Sequence, residues 1–336
     1  MKHVAIITIL TLPLISAGCS ASKRAHAAKP EMTRCQEALN TIPEVAASTN
    51  SRGKQTEPAE QPLQGMEIAL TINRMVRSKP DPDEDRDDWC YTENKRDNFD
   101  KIVTALRTNG LPPTVDFLSG ESLERDLQEE WLRSGNLIGS MPYWERPVKK
   151  EAADEIIHSI ARSEAALAPL WNSFERKVKY FRYPALKLGM DVGRPRKIRA
   201  FLKQNSYVEV PATINPRDDK FSQIYCAALA RGDVVCANFT AATFKSLLLD
   251  KTLRARATAY KLAGRDVKHI LMFSANQLTS DLLDEMLKWY KAMGVRFIPL
   301  DDALRDPFYA VDDVTNRGNE IIWETRRAQL NPESEQ

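Results

Sequence analysis

The chain has 336 residues, a formal net charge of +2 and a hydrophobic fraction of 43%. This length can bury one large α/β core or two small ones, and we expect a single one. Acidic and basic residues are mixed along the chain rather than gathered in blocks. Its charge therefore gives no reason to expect binding to nucleic acid or electrostatic attraction to an anionic membrane.

The N-terminal residues have the pattern of an export signal. A short positive segment precedes an apolar run from Val4 to Ile15, which is too short to span a bilayer. The next residues, Ser16 to Cys19, resemble a bacterial lipobox with Ser16 in place of the usual leucine, which makes Cys19 a lipidation site. Ordinary signal cleavage is the alternative. We expect an exported protein, in the periplasm or on the outer membrane as a lipoprotein, or secreted, with membrane contact only through a lipid on Cys19.

An exported chain meets conditions in which disulfides form. Four cysteines follow Cys19, namely Cys35, Cys90, Cys226 and Cys236. Cys226 and Cys236 flank the turn signal Arg231-Gly232-Asp233, which favours their pairing, whereas no local pattern pairs Cys35 with Cys90. Buried free thiols are the alternative, so the pairing stays open. No cysteine spacing matches a zinc or redox motif.

Composition divides the chain into three parts. Residues 20–63 are rich in Ala, Ser, Thr, Pro and charge and have no sustained period apart from a possible short helix at Arg34–Leu39. This pattern predicts a flexible tether between the signal at 1–19 and a folded domain at 64–336. Within the domain, the acidic run at 81–88 lacks the glycine and the closing glutamate of an EF-hand, and we interpret it as a solvated loop.

Seven apolar segments predict strands: Glu67–Ile72, Thr114–Leu118, Asn136–Met141, Lys179–Tyr183, Val208–Ile214, His269–Phe273 and Val295–Leu300. Helical or mixed segments alternate with them: Phe99–Asn109, Leu123–Ser134, Lys150–Ala168, Arg194–Gln204, Ala242–Leu262 and Ser280–Met293. This alternation favours a parallel, barrel-like sheet ringed by helices. The active site of such a barrel lies at the carboxyl ends of its strands.

Three segments carry a resemblance to a known family. Lys179–Gly189, Ile198–Leu202 and Pro211–Asp218 resemble the NodB-homology polysaccharide deacetylases of carbohydrate esterase family four. The resemblance runs from about Gln64 to Asp313. It implies a distorted (β/α) barrel of about seven parallel strands. For an intact member it also implies an amidase that uses a divalent metal such as zinc to remove acetyl groups from N-acetylated sugars.

The catalytic positions that the resemblance marks are changed. Asn73 and Arg74 stand where the family has an aspartate base and an aspartate metal ligand. An amide has no basic site comparable to a carboxylate, and a guanidinium repels a divalent cation. Ser274 stands where the family has the histidine that acts as general acid. A serine hydroxyl has neither the pKa nor the charge for that role.

The two histidine ligands of the family are also replaced. The run Gly135–Pro147 matches the family in its glycines and in Tyr143, but Met141 and Glu145 occupy the histidine positions. A thioether is a poor ligand for zinc, so we expect no metal cofactor. We further predict that Arg74 fills the space of the cation and pairs with Glu145. Independent drift of surface residues is the alternative.

Two further positions of the family are kept. In the family, the arginine at Arg182 orients the base and the aspartate at Asp218 tunes the catalytic histidine, and in this chain both of those partners are replaced. Tyr143 and Trp144 are placed at the rim of the presumed cleft. With Glu145, they are candidates for binding a sugar.

These observations favour an exported, deacetylase-like pseudoenzyme that binds a glycan or supports a partner enzyme in cell-envelope or exopolysaccharide metabolism. An active polysaccharide deacetylase is the alternative, and a metal-free hydrolase with a rebuilt site around Ser274 is a second one. A serine nucleophile needs a base. His269 lies at the far end of its strand from Ser274, and His158 lies in mid-helix, where we expect a partly buried ring, so neither is placed to serve Ser274.

Overall fold

The computed structural model describes residues 32–50, 62–73, 95–144, 151–175, 178–186 and 193–310. Cys19, Cys90, Arg74, Glu145 and the acidic run at 81–88 lie outside these ranges. The lipidation site and the pairing of Arg74 with Glu145 therefore stay predictions. None of the helices within these ranges combines the length and the apolar character needed to cross a membrane.

The described residues contain one sheet of seven parallel strands. They are β1 (Glu67–Asn73), β2 (Val115–Leu118), β3 (Leu137–Ser140), β4 (Lys179–Phe181), β5 (Tyr207–Glu209), β6 (His269–Ser274) and β7 (Arg296–Phe297). Each strand overlaps the apolar segment that predicted it. The order across the sheet is β5-β4-β3-β2-β1-β6, and β7 pairs with the start of β1.

The sheet curls into a half-barrel because the chain after β5 turns back onto β6. Ile214 bridges Leu271, and the N–H groups of Thr213 and Ile214 both donate to the carbonyl of Ile270, at 3.0 and 3.1 Å. β1 is central, since β6 pairs along one of its edges and β2 along the other. The predicted distorted (β/α) barrel of about seven parallel strands is confirmed.

Helices surround the sheet. They are α1 over residues 32–40, α2 (Pro43–Asn50), α3 (Lys95–Thr108), α4 (Arg125–Arg133), α5 (Ala153–Ser173), α6 (Gly193–Gln204), α7 (Asp218–Ala230), α8 (Val234–Ala263), α9 (Gln277–Ala292) and α10 (Leu300–Leu304). The sequence analysis missed α7 and began α8 eight residues late. The buried side chains of α7 are few and small apart from Phe221, which leaves a weak helical period.

Alternation along the strands separates two cores. Ile68, Leu70 and Ile72 of β1 belong to the large core between sheet and helices. Ala69 faces the opposite way, into the barrel, where it joins a smaller apolar cluster that includes Phe117. The barrel is therefore filled with side chains, and its chemistry is confined to the carboxyl ends of the strands.

Part of the predicted tether is folded. In α1 and the start of α2, Cys35, Leu39, Ile42 and Val45 are each no more than 3% exposed and belong to the main core. The prediction of a flexible tether is therefore wrong for residues 32–46. Composition misled it, because apolar residues at positions 35, 39, 42 and 45 are spaced as one face of a helix despite the polar residues between them.

A disulfide fixes this segment. Cys35 is bonded to Cys236 in the first turn of α8, across 201 residues of sequence. Cys226 is also disulfide-bonded. Pairing of Cys226 with Cys236 across the intervening turn is therefore wrong, and so is the free-thiol alternative for these three cysteines. The turn does form, but Cys236 lies on α8 and bonds the helix that packs beside it.

Candidate functional site

A buried arginine spans the barrel between the carboxyl ends of β4 and β1. Arg182 follows β4 and is 0% exposed. Its Nη1 donates a hydrogen bond to Asn73 Oδ1 at 2.8 Å, and its Nε donates to the carbonyl of Val210 at 3.2 Å. The guanidinium carbon lies 4.0 Å from the centroid of the Phe117 ring. Arg182 thus joins β1, β4 and the end of β5, and it still contacts the position at which the resemblance expects the base.

Arg182 carries a buried positive charge. Burial lowers the pKa of Arg182 to about 9, against the opposing charge of the Asp116 carboxylate, so the guanidinium is a cation at neutral pH. Its direct partners are a neutral amide and a carbonyl, and Nη2 has no hydrogen-bond partner among the described residues. A second cation placed beside this group would be repelled.

An apolar cluster covers the other side of Asn73. The Nδ2 of Asn73 donates to Met272 Sδ at 3.3 Å, and Met272 packs with Leu186 and Ala212. The sequence analysis missed this cluster. The alternation of side chains along β6 could have revealed this cluster. It places Met272 on the same face as Ser274, which is the residue in register with Asn73.

Asp218, the second position kept from the family, connects two helices. Asp218 begins α7 and is 1% exposed. Its carboxylate accepts from Ser274 N at 2.6 Å and Oγ at 3.2 Å, from Asn276 Nδ2 at 3.1 Å and from Thr279 Oγ1 at 2.9 Å. Burial, followed by the charge of Asp219, raises the pKa of Asp218 to about 7, although the donors oppose this rise. Asp218 therefore joins the start of α7 to the end of β6 and the start of α9.

Ser274 has no histidine base among the described residues. Its hydroxyl donates to Asp218. His269 lies at the opposite end of β6, where Nδ1 is 3.2 Å from Thr213 Oγ1. His158 lies on the exposed side of α5, so the prediction that its ring is partly buried is wrong. This arrangement gives no support to a serine hydrolase.

Met141 is part of the barrel core. It is 1% exposed and packs with Ala69, Phe117 and Ile270. The backbone next to it is equally tight, because a Cβ at Gly139 would lie 2.5 Å from the Phe117 ring. A thioether in such surroundings fills space and has no vacant polar region to face.

The described residues do not fit a divalent metal. Asn73, Met141 and Ser274 offer an amide, a thioether and a hydroxyl in the places where the family has charged or imidazole groups. The oxygens of Asp218 are already hydrogen-bonded. Within the described ranges no three His, Cys, Asp or Glu side chains are grouped so that they could hold a metal ion.

Tyr143 and Trp144 follow β3 at the same end of the barrel, and both are half-buried. The backbone N–H of Tyr143 lies 3.1 Å from the carbonyl oxygen of Ser159 and 2.8 Å from its hydroxyl, so α5 fixes this turn. The guanidinium of Arg162 stacks 3.8 Å from the centroid of the Tyr143 ring. One face of Tyr143 is therefore covered, and sugar stacking on these two aromatic residues stays a prediction.

The substitution Asn73→Asp is expected to stabilise the fold by about 1 to 2 kcal/mol at pH 7, because it places a carboxylate against the buried guanidinium of Arg182. The guanidinium should hold the pKa of the new carboxyl below its usual range. The gain should therefore be complete above about pH 4 and be lost as the pH falls through that lowered value. Urea unfolding at several pH values measures it.

The matched control is Asn73→Ala, which removes the acceptor and adds no charge. It should lower the free energy of unfolding by about 1 to 3 kcal/mol, since it leaves a second donor of Arg182 without its partner. A less stable Asn73→Asp variant at pH 7 would contradict the description of Arg182 as a cation short of negative charge.

No family model and no curated protein matches the sequence. Solved structures are similar to it. A CE4 family pseudoenzyme from Bacillus anthracis has a TM-score of 0.45 at 14% identity, covering 74% of this chain and 70% of that one. A family 4 acetyl xylan esterase from Clostridium thermocellum, in complex with a cobalt ion, has a TM-score of 0.46 at 15% identity, covering 71% and 90%. A mutant peptidoglycan deacetylase from Bacillus subtilis has a TM-score of 0.45 at 12% identity, covering 84% and 100%. The parallel sheet that curls into a half-barrel with flanking helices is the architecture that the resemblance to the NodB-homology deacetylases predicts.

Proposed function

We propose that this chain is an exported, deacetylase-like protein that binds an N-acetylated glycan of the cell envelope without hydrolysing it. A supporting role beside a partner enzyme is the second form of the same proposal. The observation that carries it is the hydrogen bond between Arg182 Nη1 and Asn73 Oδ1 at the centre of the site. An amide, held by a buried arginine, occupies the position at which hydrolysis would need a base.

Metal-dependent removal of an acetyl group has three requirements: an activated water, a base that takes its proton and an acid that protonates the leaving amine. Asn73 supplies no base and Ser274 supplies no acid at neutral pH. Met141 lies in an apolar core. These three positions argue together against the active deacetylase that the sequence left as an alternative.

Glycan binding needs none of these groups. The resemblance in the motifs from Lys179 to Asp218 points to an ancestral cleft for N-acetylated sugars, and sugar recognition relies on hydrogen bonds and aromatic stacking. Trp144, half-buried at the end of β3, is the residue on which we place the stacking contact. This choice also separates binding from the buried centre around Arg182.

The proposed location is the periplasm, or the outer membrane if Cys19 is lipidated. The disulfides of Cys35 with Cys236 and of Cys226 support export, because such bonds persist in oxidising compartments and are rare in the bacterial cytosol. Mass spectrometry of the mature N-terminus tests this directly. A lipid-modified Cys19 is the expected result, and a chain that still begins at Met1 would contradict export.

The first test of the site is a joint measurement of metal content and acetate release. The mature protein is expected to contain no stoichiometric divalent metal. It should also release no acetate from an N-acetylglucosamine oligomer, with or without added zinc or cobalt. An active deacetylase assayed in parallel is the positive control. Acetate release that depends on zinc or cobalt would overturn the proposal.

The second test is binding of the same oligomer. Replacing Trp144 by alanine should weaken binding about tenfold, the effect of losing one stacking contact. Trp289→Ala is the matched control, since Trp289 is also half-buried but lies on α9, near its carboxyl end. Equal affinities for the two variants would remove Trp144 from the site. An unchanged protein that binds no glycan would favour the supporting role.

A further inference from the structure

The turn between α7 and α8 carries the most exposed large apolar side chains of the described residues. Val234 and Val235 begin α8 and are 61% and 56% exposed, and Leu229 near the end of α7 is 38% exposed. Residues 230–232 between them are exposed as well. We call Leu229–Val235 the hairpin tip. Three clustered apolar side chains in water usually mark a contact surface, whereas isolated ones need no explanation.

The N-terminal part of the chain joins the domain at this tip. Val235 precedes Cys236, which is bonded to Cys35. Cys35 lies 16 positions after Cys19 (35 − 19) and follows the apolar run of the export signal. A chain of this length spans at most about 55 Å when fully extended. A lipid on Cys19 would therefore keep Cys35, and the hairpin tip beside it, within that distance of the membrane surface.

The tip also lies towards the end of the barrel that carries the site. The ring of Phe244 on α8 lies 6.5 Å from that of Phe273, the penultimate residue of β6. Val234 precedes Phe244 by ten residues, a rise of about 15 Å along the helix. From Phe244, α8 continues to Ala263, close to the start of β6. The tip is thus at the end of α8 that lies nearest the carboxyl end of β6, on the side that holds Asn73.

We propose that the hairpin tip docks on the lipid surface to which Cys19 is anchored, so that the carboxyl end of the barrel is turned towards that surface. This inference goes beyond glycan binding and rests on the proposed location. Two charges lie in the tip. Arg231 is exposed and suited to lipid phosphates, and the carboxylate of Asp233 accepts from Cys236 N at 2.9 Å.

The docking sets the orientation of the domain, and the lipid anchor retains the domain on the membrane. Two valines and one leucine bury too little apolar area to retain a protein of this size on a bilayer, whereas a lipid anchor and a second weak contact act together. An occupant other than lipid would be a second copy of the chain. Self-association can be distinguished from lipid docking, because it depends on protein concentration and needs no vesicles.

The test is amide hydrogen exchange of the mature, lipidated protein on vesicles of phosphatidylethanolamine and phosphatidylglycerol, compared with the Cys19→Ser protein in buffer. Exchange in peptides that cover Leu229–Val235 should be at least threefold slower on vesicles. The double variant Val234→Ser/Val235→Ser should lose this protection. The matched control Val178→Ser/Val208→Ser, which changes two exposed valines elsewhere, should keep it.

Each other outcome is decisive. A lipidated protein whose tip exchanges equally fast with and without vesicles would overturn the docking alone. Protection that appears in buffer and grows with protein concentration would overturn it in favour of self-association. A mature protein without lipid on Cys19, detected by mass spectrometry, would overturn both the lipoprotein location and the docking. Glycan binding is measured separately and is unaffected by any of these results.

Discussion

Replacing Cys35 by alanine is expected to lower the free energy of unfolding by about 4 to 5 kcal/mol. The bond to Cys236 closes a loop across 201 residues of sequence, and removing it returns the conformational entropy of that loop to the unfolded chain. The loss should appear in the urea midpoint of the oxidised protein. It should be accompanied by faster proteolysis of residues 32–46, whose buried Leu39 would then be held by packing alone.

The pattern among three variants separates the bond from the packing of the two sulfur atoms. If the bond is responsible, Cys35→Ala, Cys236→Ala and the double variant should lose the same stability, because each of them removes the one bond. Additive losses would point to side-chain packing. A change of less than about 1 kcal/mol in all three variants would contradict the large contribution expected of the bond.

The second large effect is a dependence of stability on pH that arises from Asp218. The folded-state pKa of this group is about 7, and the ordinary value of an aspartate, which we take for the unfolded chain, is 3.8. Between these values the folded state retains a proton that the unfolded state has lost, so a rise in pH favours unfolding. The contribution of Asp218 should be constant below about pH 4, decrease by on the order of 4 kcal/mol by pH 7, and be constant above that.

Asp218→Asn isolates this contribution. The amide oxygen can accept from Ser274 N, Asn276 and Thr279, while the new N–H group can donate to the Ser274 hydroxyl, so the contacts of the loop are kept without a titrating group. The variant should be less sensitive to pH than the unchanged protein between pH 4 and 7, as measured by urea unfolding. An equal slope in both proteins would show that Asp218 is ionised in the fold throughout this range.

Asp219→Asn is the matched control. It removes one acidic group on the same helix and leaves Asp218 in place. Because the charge of Asp219 is the second cause of the raised pKa of Asp218, this variant should keep the slope and shift it to slightly lower pH.

Arg182 and Asp218, the two positions kept from the family, have structural roles that do not depend on catalysis. Arg182 connects Asn73 with the carbonyl of Val210, which fixes the carboxyl ends of strands that are distant in sequence. Asp218 fixes the start of α7 against Ser274 and α9. Both residues still contact the residues that replace their family partners. Their presence is therefore no evidence of an active site.

Local sequence patterns determined much of this protein. Each strand of the barrel lies in a short apolar run that is followed by turn or helix signals, and such a run requires no knowledge of distant residues to be recognised. The loss of base and acid was also readable from single positions, since Asn73 and Ser274 are excluded from those roles by their own chemistry. Packing cannot restore to an amide the basicity that it lacks.

The sequence does not reveal which distant residues come into contact; the packing of the elements does. The contact between Asn73 and Arg182 joins positions 109 apart, and the Cys35 disulfide joins positions 201 apart. Local periodicity describes which face of an element is apolar, but it does not specify which other element covers that face. Residues 32–46 show the consequence: their helical spacing was present in the sequence, and only the packing of α1 and α2 against the core made them part of the domain.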